Sequence, residues 1–506
     1  MDGGRLSVAR QPMARLALAL CAALLCGCSL APDYRRPAAP VAERFPSGPA
    51  YLRDEGTGQA AQDWRQVFLD PTLGQLIDAA LVHNRDLRTA VLNVEAYRAQ
   101  YRIQRADLRP KVSADAQEQR RYLPRRMTGT DQGAIASTSS ATLGVSAYEL
   151  DLFGRVRSLS DRAALAYLAS DQARRSVQLS LVTSVASLYL TWRADQESLA
   201  LALDTLAVDE RDMSLTAHQR RTGTVSALDL IQARTRVDTT RAAAARYKRQ
   251  VAQDLNQLSV LVGVPVADDL DAVPLAQEQI VSLSAGVPSE LLERRPDILQ
   301  AEYQLRAAHA DIGAARAAFF PSISLTADAG STSPQLNGLF AADSGTWLFQ
   351  PQVKLPIFNA GSLRASLDYA RLQKDIQVAG YEKAIQTAFQ EVANGLAARS
   401  TYRRQLRARH DLVASNLRYY ALAERRYRSG LDGRLTLLDA QRALFAAQQG
   451  LIDDRLAQLL TEVNLYAALG GGWLAPTAAT RSASGVRMAS LAVAPAGAGS
   501  PPAPGD

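Results

Sequence analysis

Proline is missing from two long stretches of this 506-residue chain, Arg125 to Val264 and Ile357 to Ala475. Proline removes a backbone donor and clashes with the preceding turn, so nothing of that kind interrupts a helix in either stretch. Cysteine is scarce as well: Cys21, Cys26 and Cys28 all lie near the N-terminus, and the rest of the chain has no internal disulfide. After residue 27 no apolar run reaches the roughly 18 residues that a spanning helix needs, which leaves open the weaker and shorter signal of membrane β-strands. The four histidines (His83, His218, His309, His410) stand singly, without ligand spacing, and read as surface residues rather than a metal centre. There is no phosphate-cradling glycine loop; Gly470-Gly471-Gly472 ends a helix and leads to Trp473. No Ser, Cys or His nucleophile motif is present, so enzymatic function is not expected. Lys and Arg total 57 against 50 Asp and Glu, spread along the chain without aromatic-interleaved basic blocks, which argues against nucleic acid as a partner.

What is present begins at the N-terminus. Arg5, Arg10 and Arg15 precede an apolar run from Leu16 to Leu25, followed by Gly27 and Cys28. A positive flank, a short apolar core and a small residue at the cut describe a secretory signal over residues 1–27, with Met13 an alternative start. Leu25-Cys26-Gly27-Cys28 fits a lipobox, although Cys26 stands where Ala or Ser is more usual. Cys28 then becomes the first mature residue, carrying S-diacylglycerol and an N-acyl chain, with no other cofactor expected. Ser29 follows it, not the Asp that would argue for inner-membrane retention. Residues 28–62 are rich in Pro, Ala and Gly and read as a flexible tether, and residues 474–506 as a disordered tail.

The body between is duplicated. Asp86-Leu87 leads to Leu108-Arg109-Pro110-Lys111-Val112-Ser113, as Asp297-Ile298 leads to Phe319-Phe320-Pro321-Ser322-Ile323-Ser324. Arg221-Thr222-Gly223 answers Arg428-Ser429-Gly430, and Val262-Gly263 answers Leu469-Gly470. The turn residues align as well as the helical ones, so the units are residues 63–284 and 285–473, far longer than a solenoid repeat. Each unit reads as a helix (about 72–108, then 289–319), two strands and long helices. The strands are expected at about 110–122 and 138–153, then 321–331 and 346–358; the long helices at 155–262 and 361–470.

Ile323, Leu325, Ala327 and Ala329 alternate with Ser322, Ser324, Thr326 and Asp328; Trp347, Phe349, Val353 and Leu355 alternate with Gln350, Gln352 and Lys354. Period two gives each strand one apolar and one polar face. Leu143 to Leu152 is less regular and switches face near Ala147–Tyr148. Leu438, Phe445, Ile452, Leu459 and Tyr466 recur every seven residues, the pattern of a supercoiled helical wall. No apolar layer is available to cover the strands, and polar-inside, apolar-outside ribbons suit a membrane barrel with a wet lumen. Four strands are too few to close one; two copies would supply eight and three would supply twelve. The rival reading is a periplasmic coiled-coil scaffold or adaptor lipoprotein without a pore.

Several motifs are similar to the signature of the outer-membrane factor lipoproteins, the TolC/OprM group, in its OprM-like (NodT-type) branch. They are Arg294-Arg295-Pro296-Asp297-Ile298, Ala317-Ala318-Phe319-Phe320-Pro321-Ser322, Tyr148-Glu149-Leu150-Asp151-Leu152-Phe153-Gly154-Arg155, Leu355-Pro356-Ile357-Phe358 and Asp439-Ala440-Gln441-Arg442. The resemblance spans about residues 28 to 473. It implies a membrane α+β fold: a homotrimer with a twelve-stranded transmembrane β-barrel continuous with a twelve-helix coiled α-barrel. It further implies an efflux duct in the outer membrane, docking to a periplasmic membrane-fusion adaptor and an inner-membrane resistance-nodulation-division (RND) pump.

The resemblance also implies a periplasmic gate near the interhelical turns, with Gly223 and Gly430 at the tips that dock the adaptor. Leu435 matches a leucine ring that narrows the pore. Asp439 and Arg442 match charged groups that lock it, Tyr427 a tyrosine that holds the inner coil, and Asp229 its acidic partner. Three leucines on an axis make a dry constriction, and like carboxylates repel unless paired. Asp432 stands where TolC carries a pore-locking arginine and Thr436 where it carries an aspartate, so the outer part of the lock departs from the pattern.

Overall fold

The computed structural model describes residues 30–51, 63–128, 132–268, 270, 274–275, 279–284 and 288–471, all within the compact unit Met1–Gly472. The expected signal, Cys28 and the C-terminal tail lie outside the described residues.

The duplication is visible in element lengths. Two short helices open the first repeat, α1 (Pro71–His83) and α2 (Arg85–Ala106), followed by β1 (Val112–Leu123) and β2 (Ala134–Leu150). Next come α3 (Arg155–Arg221, 67 residues) and its antiparallel return α4 (Ala227–Val262). The second repeat opens with a short helical stretch at Pro288–Arg294 and then α5 (Pro296–Ala317), β3 (Ser322–Ser333) and β4 (Gly345–Lys354). It ends with α6 (Ser362–Arg428, again 67 residues) and α7 (Arg434–Ala468). At a rise of 1.5 Å per residue, each long helix runs about 100 Å. No helix among the described residues is long and apolar enough to cross a membrane.

The opening helix of each repeat, read from sequence as one piece, is broken in two. Asn84 is extended and caps α2, its Oδ1 accepting from the Leu87 N–H at 2.8 Å. In the second repeat Pro296 starts α5 at its first turn, where a missing donor costs nothing, and Arg295 is extended before it. Both breaks serve one purpose. Asn84 Nδ2 donates to the Leu261 carbonyl at 2.8 Å, and Arg295 Nη1 donates to the Ala468 carbonyl at 2.9 Å, satisfying helix-end acceptors of α4 and α7. The chain leaves those ends through left-handed Gly263 and Gly470, pressed so closely on the His83 and Arg294 carbonyls that a Cβ would stand 2.5 and 3.0 Å away.

The core gathers where α1, α5, Leu275, Ile280 and Leu283 pack against the middles of α3 and α6. Its largest enclosed side chains are Trp192, Tyr189, Tyr381 and Tyr466. Asp70 joins two levels of structure: Oδ1 caps α1 at Thr72 N (2.8 Å), and Oδ2 accepts from the Tyr189 hydroxyl at 2.6 Å inside the core.

The segment expected to be a free tether is, over residues 30–51, laid along α5 and α6. The Leu30 carbonyl accepts from Arg316, Tyr34 and Arg36 both donate to buried Glu302, Phe45 stacks on Phe389 at 5.2 Å, and the Pro49 carbonyl accepts from Arg404. Composition suggested no structure because the order comes from distant partners rather than local propensity. His309, expected at the surface, is half-buried edge-on to Tyr34 at 5.5 Å.

The four strands form one antiparallel sheet in the order β1-β2-β3-β4, the hairpins of the two repeats joining through β2 and β3. The register puts β1 and β3 starts beside β2 and β4 ends, so all four helix junctions leave from one end of the sheet. The Tyr148–Arg155 motif builds one junction. Asp151 accepts from the Val156 and Arg157 N–H groups and so caps α3 from outside, Gly154 supplies the left-handed turn (φ 75°), and Phe153 stacks on Phe320 at 4.7 Å.

Candidate functional site

The register assembles one continuous apolar face. It runs across Val112, Ala114 and Ala116 of β1; Leu143, Val145, Tyr148 and Leu150 of β2; Ile323, Leu325 and Ala327 of β3; and Trp347, Phe349 and Val353 of β4. A bulge between Val145 and Tyr148, with Ala147 at φ 52°, inserts the extra residue that keeps β2 in phase across its irregular stretch. None of the described residues covers this face: Trp347 is 78% exposed, and Ile357 beyond β4 is 91% exposed. The opposite face carries Ser113, Asp115, Gln117, Thr142, Ser324, Thr326, Asp328, Gln350 and Gln352. Gly144 and Gly330 lie on this polar side, where a Cβ would meet the Ala327 carbonyl at 2.4 Å and the Ala141 carbonyl at 2.1 Å. Neighbouring backbone approaches closely on that side, and only glycine fits at these two positions. The sheet's edges, β1 and β4, have no strand partner among the described residues.

At the far ends of the long helices are two matched turns. Gly223 (φ 79°) and Gly430 (φ 70°) adopt the left-handed conformation that glycine permits without strain. Ser226 and Asp229 form a reciprocal capping box on α4; the Ser226 hydroxyl donates to Asp229 Oδ2 at 2.6 Å, and these bonds hold the carboxyl below the ordinary carboxylate range. Asp229 is thus turned onto its own helix end, and the single chain does not bring it to half-buried Tyr427 by any hydrogen bond. At the second tip Arg426 grips Asp432 bidentately (2.7 and 2.9 Å), which lowers the Asp432 carboxyl and occupies the residue that departs from the family pattern.

Leu435, Asp439 and Arg442 fall on one face of α7 at helical spacing, opposite Ile231, Gln232, Thr235 and Arg236 of α4, around a groove of about 250 Å³. Leu435 is 77% exposed, and neither Asp439 nor Arg442 has an ion pair among the described residues.

Beside them lies a polar clamp that the sequence reading missed. Asp212 of α3 accepts from both Arg236 of α4 and Arg434 of α7. Asp209, one turn earlier, accepts from Gln441 Nε2 at 3.0 Å and from the Thr240 hydroxyl at 2.8 Å, with Arg236 3.8 Å away. Three helices from both repeats are tied at one level just above the tips. The available signal was Asp209 and Asp212 at i, i+3 on the helix leading to the first turn, with Arg434 opening the helix after the second.

A sheet with one uncovered apolar face and one polar face, continued by long helices with exposed charges near their tips, is the arrangement of an outer-membrane channel. The comparisons agree. The family described as "Outer membrane efflux protein" matches residues 76–264 and 287–471, one stretch per repeat. The chain belongs to that family, and it is the outer-membrane channel component of an efflux pump. It is 59% identical over 465 residues to the toluene efflux pump outer membrane protein TtgC of Pseudomonas putida, covering 91% of this chain and 96% of that relative. A crystal structure of a membrane protein from Pseudomonas aeruginosa superposes with a TM-score of 0.83 at 43% identity, covering 88% of this chain and 98% of that one. The open state of the Neisseria gonorrhoeae MtrE outer membrane channel superposes with a TM-score of 0.80 at 38% identity, covering 88% and 98%.

Proposed function

We propose that three copies of this chain close one twelve-stranded barrel, continued into the periplasm by a twelve-helix duct, and that this homotrimer is the passive exit of a tripartite RND-type pump. One observation carries the proposal: a single apolar-faced sheet ends in two unpaired edges, β1 and β4. An open edge in lipid costs several kcal/mol per unpaired backbone group, as order of magnitude. In an even-stranded antiparallel sheet the two edges run in opposite directions, so β4 of one copy can pair with β1 of the next in a closed ring. Three copies give a barrel wide enough for a pore.

In this reading Cys28 is the lipidated first residue. The course of residues 30–51 supports it, because Leu30 lies beside Arg316, at the sheet end of α5, two residues after the acyl chains would enter the membrane. Leu435 forms the constriction, with Asp439 and Arg442 pairing between copies and Tyr427 and Asp229 facing each other only in the assembled tip. The Asp212 clamp holds each subunit's hairpins closed. The tips at Gly223 and Gly430 dock the periplasmic adaptor, aided by exposed Leu228, Ile231 and Leu431. The chain performs no catalysis; its partners supply the energy. Small molecules are the cargo, and the toluene for which one relative is named is the first compound to test.

Reconstitution of the mature lipidated protein in planar bilayers tests the proposal. Discrete single-channel steps are expected, and their complete absence from correctly folded protein would refute it.

A further inference from the structure

The β1–β2 hairpin outlasts its apolar band. Continuing the outward row beyond Ala116, the register brings Glu118 opposite Ser139, Arg120 opposite Ser137 and Tyr122 opposite Ile135. Arg121 follows on the other face, and Arg125 and Arg126 lie in the turn Arg125–Thr128 that caps the hairpin. Four arginines thus fall within residues 120–126, at the sheet end opposite the helix junctions. Arg120, Arg121 and Arg126 are all exposed. Glu118, 2.8 Å from Arg120 Nε, is the one carboxylate among the described residues from 116 to 147. The matching loop between β3 and β4 has no cation, so the charge is particular to the first hairpin.

We propose that this hairpin is a docking rim for the phosphate groups of the outer leaflet's glycolipid. The proposal rests on the outer-membrane barrel reading. Its geometric basis is position: the outward row is apolar up to Ala116 and continues with Glu118, Arg120 and Tyr122, while Arg121 on the other face and Arg125 and Arg126 in the closing turn give this end of the hairpin its positive charge. At about 3.3 Å per residue Arg120 stands ~13 Å along the strand from Ala116, within reach of a headgroup layer for a tilted strand and a long side chain. Exposed Tyr122, Met127 and Ile135 surround the cations with partly apolar surface suited to an interface. Guanidinium groups bind phosphate through two parallel hydrogen bonds. Glu118 engages Arg120 through Nε and Nη2, whereas Arg121 and Arg126 have no carboxylate partner among the described residues, so a phosphate would be met first by those two. A closed trimer would present the cluster three times around the barrel.

The test uses the full mature protein in neutral phosphatidylcholine nanodiscs doped with diphosphorylated lipid A, dephosphorylated lipid A or phosphatidylglycerol, with bound lipid counted by native mass spectrometry. Wild type is expected to retain diphosphorylated lipid A at least tenfold over the dephosphorylated form, and Arg120→Gln/Arg121→Gln/Arg126→Gln to lose most of that preference. The single Arg126→Gln change, which lies in the turn and disturbs no strand pair, is expected to lose part of it. Equal retention of both lipid A forms, an undiminished preference in the variants, or equal retention of phosphatidylglycerol would each overturn the proposal. Bilayer conductance of the same preparations separates the two readings: channels without lipid A preference reject only the rim, whereas folded protein without channels rejects the barrel.

Discussion

Arg434, at the first position of α7, donates to Asp212 of α3, joining the second hairpin to the first just above their tips. The two residues are far apart in sequence and belong to different repeats. Arg236 donates to the same carboxylate from α4, so one acceptor collects two guanidinium groups.

Removing one cation leaves the other to hold the carboxylate alone. Breaking a buried pair costs several kcal/mol, and partial exposure here reduces that to about 2 kcal/mol. Arg434→Ala is therefore expected to loosen the tip and raise mean single-channel conductance or open probability severalfold. An unchanged conductance histogram would show that the clamp plays no part in closure.

Asp439 has no hydrogen-bond or ion-pair partner among the described residues and lines the groove with Leu435 and Arg442. Asp439→Ala is expected to increase conductance or drug leakage while leaving the melting temperature of the protein nearly unaltered, because no intrachain bond is lost. A large drop in stability without a change in leakage would reassign the residue to packing.

Glu302 is only 3% exposed and accepts hydrogen bonds from Tyr34, Arg36 and Arg306. Glu302→Gln removes the charge that these cations share, at a cost on the order of 3 kcal/mol. Protease cleavage within residues 30–51 is expected to accelerate at least tenfold in the variant. Equal cleavage rates would mean that the strap is held mainly by Phe45 and its other apolar contacts.

Burial and the neighbouring Asp195 carboxylate raise the Asp254 carboxyl to about 6, while burial also raises Asp195 itself. A folded-state value above the unfolded one means that protonation favours folding. The stabilisation is complete below about pH 4, the ordinary carboxylate value, and disappears as pH rises through about 6. Solvent screening limits the effect to on the order of 1 kcal/mol. Asp254→Asn is expected to raise thermal stability at pH 7.5 and to flatten its dependence between pH 5 and 7.5. A steeper dependence in the variant would contradict the assignment.

The duplicated plan was legible because its punctuation is local. Gly223 and Gly430, Gly263 and Gly470, and the prolines before the strands each mark a backbone event that sequence reveals directly. The amphipathic strands were legible for the same reason, even to the irregularity at Ala147. Two features were not. The strap at residues 30–51 has the composition of a flexible linker, and its order comes from Glu302 and Phe389, hundreds of residues away. The Asp209–Asp212 clamp is built from charges on three separate helices, and no periodicity in any one of them announces the meeting. Nor did alternation in the separate hairpins reveal that β2 and β3 pair across the repeats.

One chain's sheet, with β1 and β4 unpaired, is an incomplete wall. Native mass spectrometry of the mature protein released from detergent micelles shows whether further copies complete it. A single dominant species of three chains is expected, persisting on dilution; a predominantly monomeric protein with an intact, folded sheet would contradict it.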